Sequence, residues 1–473
     1  MRIKEILNKS VFYLIIAFFV VLFFIALDRF DRWDLLEQIA MADNFIKHGS
    51  LYPDLNNPTP NHVSVYFPGI SLIALLLLSI GIDGLIVETL LICASVIVVG
   101  FLYIQLKLAS HLYKMSIDWR EFVPSTIVYC LFITPSWLIY AVEFKADTIA
   151  LSIGFLGLIY AQFLDSRATN KQLVLGGVIC ALGLIFKQQH IAFVLGIGLF
   201  ILFFPEKKRF VFFGSLSITS LLIVSIFYLN KNLWFWNVNV LSDDSISSFF
   251  EIIEQNLAAM FWLFLLTTYF VYSAVRSKSK KIRFHNYYSF VKKQIQIPWV
   301  WPVTFSILAS IVSAAKVGGN AGNIELAFVL LLPVFYILTR HVDRSIFICL
   351  GWLGILIALP LTFKGVNNYG NASDMKMFVY EDSSNAVSSI VSGSNVYFAS
   401  RHYSKDAEIF SHWSKAIQTN STNFESLKDL ISEVGPDRII VENWSDNRSF
   451  INDNPHYELI FENSVGLIAK AVN

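Results

Sequence analysis

Twelve apolar stretches succeed one another along the 473 residues, at 11–27, 67–82, 85–106, 122–141, 146–164, 173–186, 191–204, 210–229, 257–275, 299–315, 325–339 and 345–363. No soluble core hides that many such runs, so lipid must cover most of them. The composition agrees: 55% of residues are hydrophobic and only 15% charged, with a mean hydropathy of +0.58. The chain reads as an all-α polytopic membrane protein, with no nucleic acid among its expected partners. Its four cysteines (Cys93, Cys130, Cys180, Cys349) all fall inside apolar runs, without a CxxC pair or a nearby His. They read as packed thiols, not as a disulfide framework or a zinc site.

The net charge of +1 carries no information by itself; the placement of Lys and Arg does. Arg2, Lys4 and Lys9 precede the first apolar run and no small-residue cleavage site follows it, so an uncleaved first span with a cytoplasmic N-terminus is expected. Lys207-Lys208-Arg209, the seven Lys and Arg between 276 and 293, and Arg340 to Arg344 mark further cytoplasmic loops. The opposite face receives 28–66, 141–147, 187–190, 230–255, 316–323 and everything after 363. Residues 67–106 must then cross an odd number of times, although they hold two apolar runs. The break at Gly81-Ile82-Asp83-Gly84 has an acid and no base, so 67–82 is expected to be re-entrant or interfacial and 85–106 to cross. About 11 transmembrane helices result, with the C-terminus outside.

Two domains are expected: a transmembrane domain over 1–366 and a small exoplasmic α/β domain over 367–473. In the latter, Met377–Tyr380, Ser394–Ser400 and Arg438–Glu442 read as strands, Ser383–Val391 and Asn423–Val434 as helices, and Tyr457–Val472 as a closing strand pair. No phosphate-binding Gly-rich loop, HExxH or GxSxG elbow occurs there, so the tail reads as an acceptor-recognition or bracing element.

The residues suited to chemistry gather on the outer face. In loop 28–66, Asp28, Asp31, Asp34 and Glu37 stand beside Ala40, Phe45 and Ile46, which recur at helical spacing as in an amphipathic interfacial helix ended by Gly49. Asp34 serves there either as a helix cap or as a general base. Glu143-Phe144-Lys145-Ala146-Asp147 sets a Lys and an Asp at the mouth of a span, as a surface pair or as functional groups. Lys187-Gln188-Gln189-His190 is squeezed between two apolar runs, where Lys187 either snorkels or clamps a phosphate. Lys316-Val317-Gly318-Gly319-Asn320-Ala321-Gly322-Asn323-Ile324-Glu325 lets backbone approach a ligand closely just before a helix. Lys145, Lys187 and Lys316 on one face, among Asp34, Asp147 and Glu325, suit a lipid-phosphate leaving group with a base alongside. His62 and His190 stand as hydroxyl or metal contacts, or as satisfied structural histidines.

An acid after the first span, the helix around Ala40–Ile46, then Gly49-x-x-Tyr52-Pro53 and Tyr66-Phe67-Pro68 resemble the GT-C membrane glycosyltransferases. That superfamily includes the bacterial aminoarabinose lipid A transferases and the protein O-mannosyltransferases. Lys145-Ala146-Asp147 is similar to their Lys-Pro-Asp segment, with Ala in place of Pro. The resemblance implies a polyprenyl-phosphate sugar donor, inverting transfer, Asp34 as catalytic base and Asp147 assisting. It also implies a bacterial inner-membrane location and an envelope glycan, lipid or protein as acceptor. Lys187, Lys316 and Lys145 would hold the donor phosphate; Asp31, His62, Tyr66, Gln188, His190, Asn320, Asn323 and Glu325 would contact substrate. Asp34 is followed by Leu35 where the family shows Asp-Glu or Asp-x-Asp, which keeps Asp31 and Asp28 in contention and leaves a divalent metal an open question. The alternatives are a polysaccharide polymerase or ligase, which would bring Arg-rich outer loops, and a lipid-linked glycan transporter, which would bring midplane charges and repeated halves. Neither pattern is present.

Overall fold

The computed structural model describes residues 2–28, 33–52, 67–112, 118–132, 134, 138, 142, 144–161, 168–239, 296–314, 326, 329–339, 343–360, 362–363, 388–392, 406–409, 438–442, 448, 451–464 and 466–472. Among these, the helices of eight residues or more are α1 (Arg2–Asp28), α2 (Trp33–His48), α3 (Gly69–Ser79), α4 (Gly84–Leu112), α5 (Trp119–Phe132), α6 (Ala146–Tyr160), α7 (Asn170–Leu182), α8 (His190–Phe203), α9 (Lys207–Leu229), α10 (Val300–Ala314), α11 (Leu332–Thr339) and α12 (Arg344–Pro360). Three contain windows long and apolar enough to cross a bilayer: Asn8–Ala26, Ile86–Leu108 and Lys207–Leu229.

Apolar side chains lie both inside and outside this bundle. Leu14, Leu22, Val99, Phe193 and Phe200 are fully enclosed, while Ile97, Leu221, Ile226 and Phe363 are each more than 60% exposed. Water would penalise the second set heavily, whereas a bilayer accepts it. The described apolar runs therefore form helices because hydrocarbon leaves backbone groups no other partner. The stretch 257–275 lies outside the described residues.

α2 is amphipathic, but its faces differ from the expected ones. Leu35, Gln38, Ile39, Ala40, Met41 and Ala42 are buried, whereas Phe45 and Ile46 are 38% and 49% exposed. Ala40 and the Phe45–Ile46 pair thus point different ways, because a spacing of five or six residues is not one helical face. Inside, Ser71 on α3 donates to Gln38 at 2.6 Å. Gly49 ends α2 at φ 74°, its N–H bonded to the Phe45 carbonyl at 2.8 Å, as expected for a left-handed cap.

α6, α7 and α9 pack through a seam of small residues. A Cβ on Gly157 would sit 2.5 Å from Cys180 Sγ, and one on Gly177 2.7 Å from the Phe212 carbonyl. Backbones this close hold the ends of α6 and α7 in a fixed relation, and those ends carry the site described below.

The C-terminal strands are β1 (Ser388–Ser392), β2 (Asp406–Ile409), β3 (Arg438–Glu442), β4 (Tyr457–Glu462) and β5 (Gly466–Ala471), in sheet order β2-β1-β3-β5-β4. β1 is parallel to β2 and β3, while β5 runs antiparallel to β3 and β4. β3 and the closing pair fall where the sequence puts strands. Ser388–Ser392 is strand where a helix over 383–391 is expected, because Ile390 and Val391, both β-branched, pair in register with β2 and β3. Met377–Tyr380, Ser394–Ser400 and Asn423–Val434 lie outside the described residues.

Candidate active site

Asp147 sits in the first turn of α6, where a carboxylate faces the positive end of the helix. The chain reaches it through a strained corner. Phe144 holds a left-handed φ of 58°, and its N–H donates to Ser95 Oγ on α4 at 2.9 Å. A buried aromatic in that region is unfavourable unless its surroundings hold it there. Lys145, half-buried, follows in extended conformation as the last residue before α6.

α7 tightens into a 3-10 turn over Gly183–Ile185, and the chain then reverses through 187–189 into α8. The Lys187 N–H bonds back to the Gly183 carbonyl, and the Lys187 carbonyl accepts from His190. The reversal points the Lys187 side chain at α6, where Nζ lies 3.1 Å from Asp147 Oδ2, the side chains 7% and 16% exposed. A lysine this enclosed is not reaching for water. Its charge is balanced locally by the carboxylate.

A cavity of about 30 Å³ lies against this pair, lined by Asp147, Lys187, Gln189, His190, Ser306 and Ser310 together with Ala150, Leu151, Ala309 and Leu326. His190 is buried, stacked on Phe193 and bonded through Nε2 to the Cys180 carbonyl at 2.9 Å. It fits because Gly154 and Gly183 face it; a Cβ on Gly183 would lie 2.4 Å from Nε2. Gln189 reaches across to Ser313 on α10 at 3.2 Å. Gln188 is half-buried in the same turn, its carbonyl accepting from Ile191.

The structure thus brings Asp147, Lys187 and His190 together and puts Lys145 and Gln188 within two residues of them in the chain. The backbone places Asp34 in the first turn of α2. Asp31, His62, Tyr66, Lys316, Asn320, Asn323 and Glu325 lie outside the described residues. Among the described residues, no three His, Cys, Asp or Glu side chains gather as a metal site. Sequence reading singled out the stretch that holds Gln189 without giving that residue a role of its own, and it missed Ser306 and Ser310. The serines did leave a signal, since Ser306, Ser310 and Ser313 recur at helical spacing and put a polar stripe on an apolar helix.

Outside the pair, a second outer contact fastens loop 49–52 down. Tyr52 is 2% exposed and hydrogen-bonds Asn237 in the middle of a π-helical turn, and burial pushes its phenol above the usual tyrosine range. Nearby, Phe67 packs edge-on against Phe227, 4.6 Å between ring centres.

The chain shares its helical fold with known structures, and its Lys187–Asp147 ion pair sits where helix ends meet. Two solved structures of ArnT from Cupriavidus metallidurans superpose over nearly the whole chain. The apo form matches at TM-score 0.58 and 10% identity, covering 98% of each chain. The form bound to undecaprenyl phosphate matches at TM-score 0.54 and 11% identity, covering 97% of this chain and 98% of the other. No family model matches the sequence, and no curated protein does.

Proposed function

We propose that the chain is an integral membrane glycosyltransferase that moves a sugar from a polyprenyl-phosphate donor to an exoplasmic acceptor. The observation that carries this reading is the buried Lys187–Asp147 pair at 3.1 Å, set in a fold shared with a protein solved with undecaprenyl phosphate. An ammonium held in a low-dielectric rim suits a departing lipid phosphate, and a neighbouring carboxylate keeps it charged and aimed.

In the reaction, an acceptor O–H or N–H attacks the anomeric carbon from the face opposite the phosphate. The bond from that carbon to the phosphate oxygen breaks, and the lipid phosphate leaves with the electron pair. Asp34 takes the acceptor's proton, and one in-line displacement inverts the centre. Lys187, with Lys145 and Lys316, neutralises the leaving phosphate, while Asp147 assists by orienting Lys187. Asp31, His62, Tyr66, Gln188, His190, Asn320, Asn323 and Glu325 contact the substrates. A divalent ion, if bound among the outer carboxylates, would share the neutralisation.

The topology belongs to the same reading: about eleven spans, a cytoplasmic N-terminus in a bacterial inner membrane, and residues 367–473 as an exoplasmic domain. The eleven residues of α3 rise about 16 Å, half of a hydrocarbon core, which supports a re-entrant element. Asp34→Asn, assayed in membranes at unchanged expression, is expected to lower transfer roughly 100- to 10,000-fold. Retained transfer would remove Asp34 from the role of base.

A further inference from the structure

His190 Nε2 lies 2.9 Å from the Cys180 carbonyl. A carbonyl only accepts, so Nε2 carries the hydrogen and the lone pair of the neutral ring belongs to Nδ1. That nitrogen is buried and has no hydrogen-bond partner among the described residues. Gln189 repeats the pattern: its Nε2 donates to Ser313, and its Oε1 is buried with no partner among the described residues. Both residues line the cavity beside Asp147, whose carboxylate also only accepts. The Asp147 carboxylate has Lys187 as its partner; a buried acceptor without a donor is unfavourable, so the two that remain, His190 Nδ1 and Gln189 Oε1, mark a place for a donor group.

The size of the chamber limits what that group is. About 30 Å³ holds one or two heavy atoms, not a sugar ring. Ala150, Leu151, Ala309 and Leu326 add hydrocarbon to the lining and Ser306 and Ser310 add hydroxyls, and a bare methyl group placed there would leave both acceptors unsatisfied.

We infer that this chamber is a specificity subsite for the donor sugar, taking one hydrogen-bond-donating substituent, a hydroxyl or an amine, between His190 Nδ1 and Gln189 Oε1. The inference rests on the glycosyltransferase reading above and deepens it. Lys187 meets the phosphate; Gln189 and His190 read the sugar. An ordered water is the other occupant that would satisfy the same acceptors.

The test uses the purified full chain in detergent with radiolabelled decaprenyl-phosphate pentoses and hexoses. The donor consumed fastest is compared with analogues in which each ring hydroxyl or amine is replaced in turn by hydrogen or methoxy. Each series is run on wild type, Gln189→Leu and His190→Phe. Gln189 lies in a half-buried turn, so its variant stands in should His190→Phe fail to fold. One ring position is expected to lose roughly 1,000-fold or more in kcat/KM in wild type, and discrimination there is expected to narrow below about tenfold in the variants. Turnover without a privileged position, as an ordered water would give, overturns the subsite and leaves the transferase standing. Discrimination unchanged in both variants does the same. No turnover of any donor overturns the reading on which the subsite rests.

Discussion

Lys187 and Asp147 come from helix ends forty residues apart and meet where neither side chain is more than 16% exposed. A buried pair of this kind adds little net stability, but removing one partner strands the other charge at about 3–5 kcal/mol. Asp147→Leu and Lys187→Met should therefore each lower the thermal midpoint in detergent, and the double variant should regain most of that loss. Transfer should stay abolished in the double variant, since its folding is repaired but its phosphate partner is not; recovered transfer would make the pair structural. Tyr52 offers a pH test. Its phenol is held above the ordinary value by burial, so the folded state keeps a proton that the unfolded state loses above about pH 10. That stabilisation is complete below pH 10 and fades as pH rises further, and Tyr52→Phe should flatten the fall in thermal midpoint above pH 10. Lys187 and Asp147 were legible in the sequence because ionisable groups at the mouths of apolar runs stand out. Ser306 and Ser310 were not, because neutral side chains in the middle of an apolar helix reveal a role only once that helix is packed against the Lys187 turn.

The seam between α6 and α7 sets where that pair can meet. Gly157→Ala would push a methyl group to 2.5 Å from Cys180 Sγ and the Gly176 carbonyl. It should cost about 1–3 kcal/mol and loosen the site. Gly214→Ala on α9, with nothing within 4 Å, should be neutral or stabilise by about 0.5–1 kcal/mol. Comparing the two midpoints checks this, and equal effects would contradict the seam. Most helices were legible at this scale, since a run of apolar residues in hydrocarbon has few alternatives to a helix. α2 shows the limit: residues near a membrane surface are apolar on both faces, so Phe45 and Ile46 could not be told from Ala40 by hydrophobicity. β1 shows another, because five residues between serines carry no helical period, and pairing with β2 and β3 decides their state.

For the whole molecule, the outer face is the organising idea. On the proposed re-entrant reading of residues 67–82, the turn at Gly81–Asp83 should share a side with the Lys187 turn. Asp83→Cys in a cysteine-free background should react with an impermeant thiol reagent from the exoplasmic side alone; labelling only from the cytoplasm would add a span and invert this part of the topology. Charge counting over loops carried this reading in the sequence, and the fold it accompanies is shared with ArnT at only 10% identity. The most direct test of the whole account is the fate of a radiolabelled polyprenyl-phosphate sugar mixed with the purified protein in detergent. The account predicts release of free polyprenyl phosphate and loss of label from the lipid, both abolished in the Lys187→Met, Asp147→Leu double variant. Saturable binding of the intact donor with no turnover, the behaviour of a carrier, would contradict it.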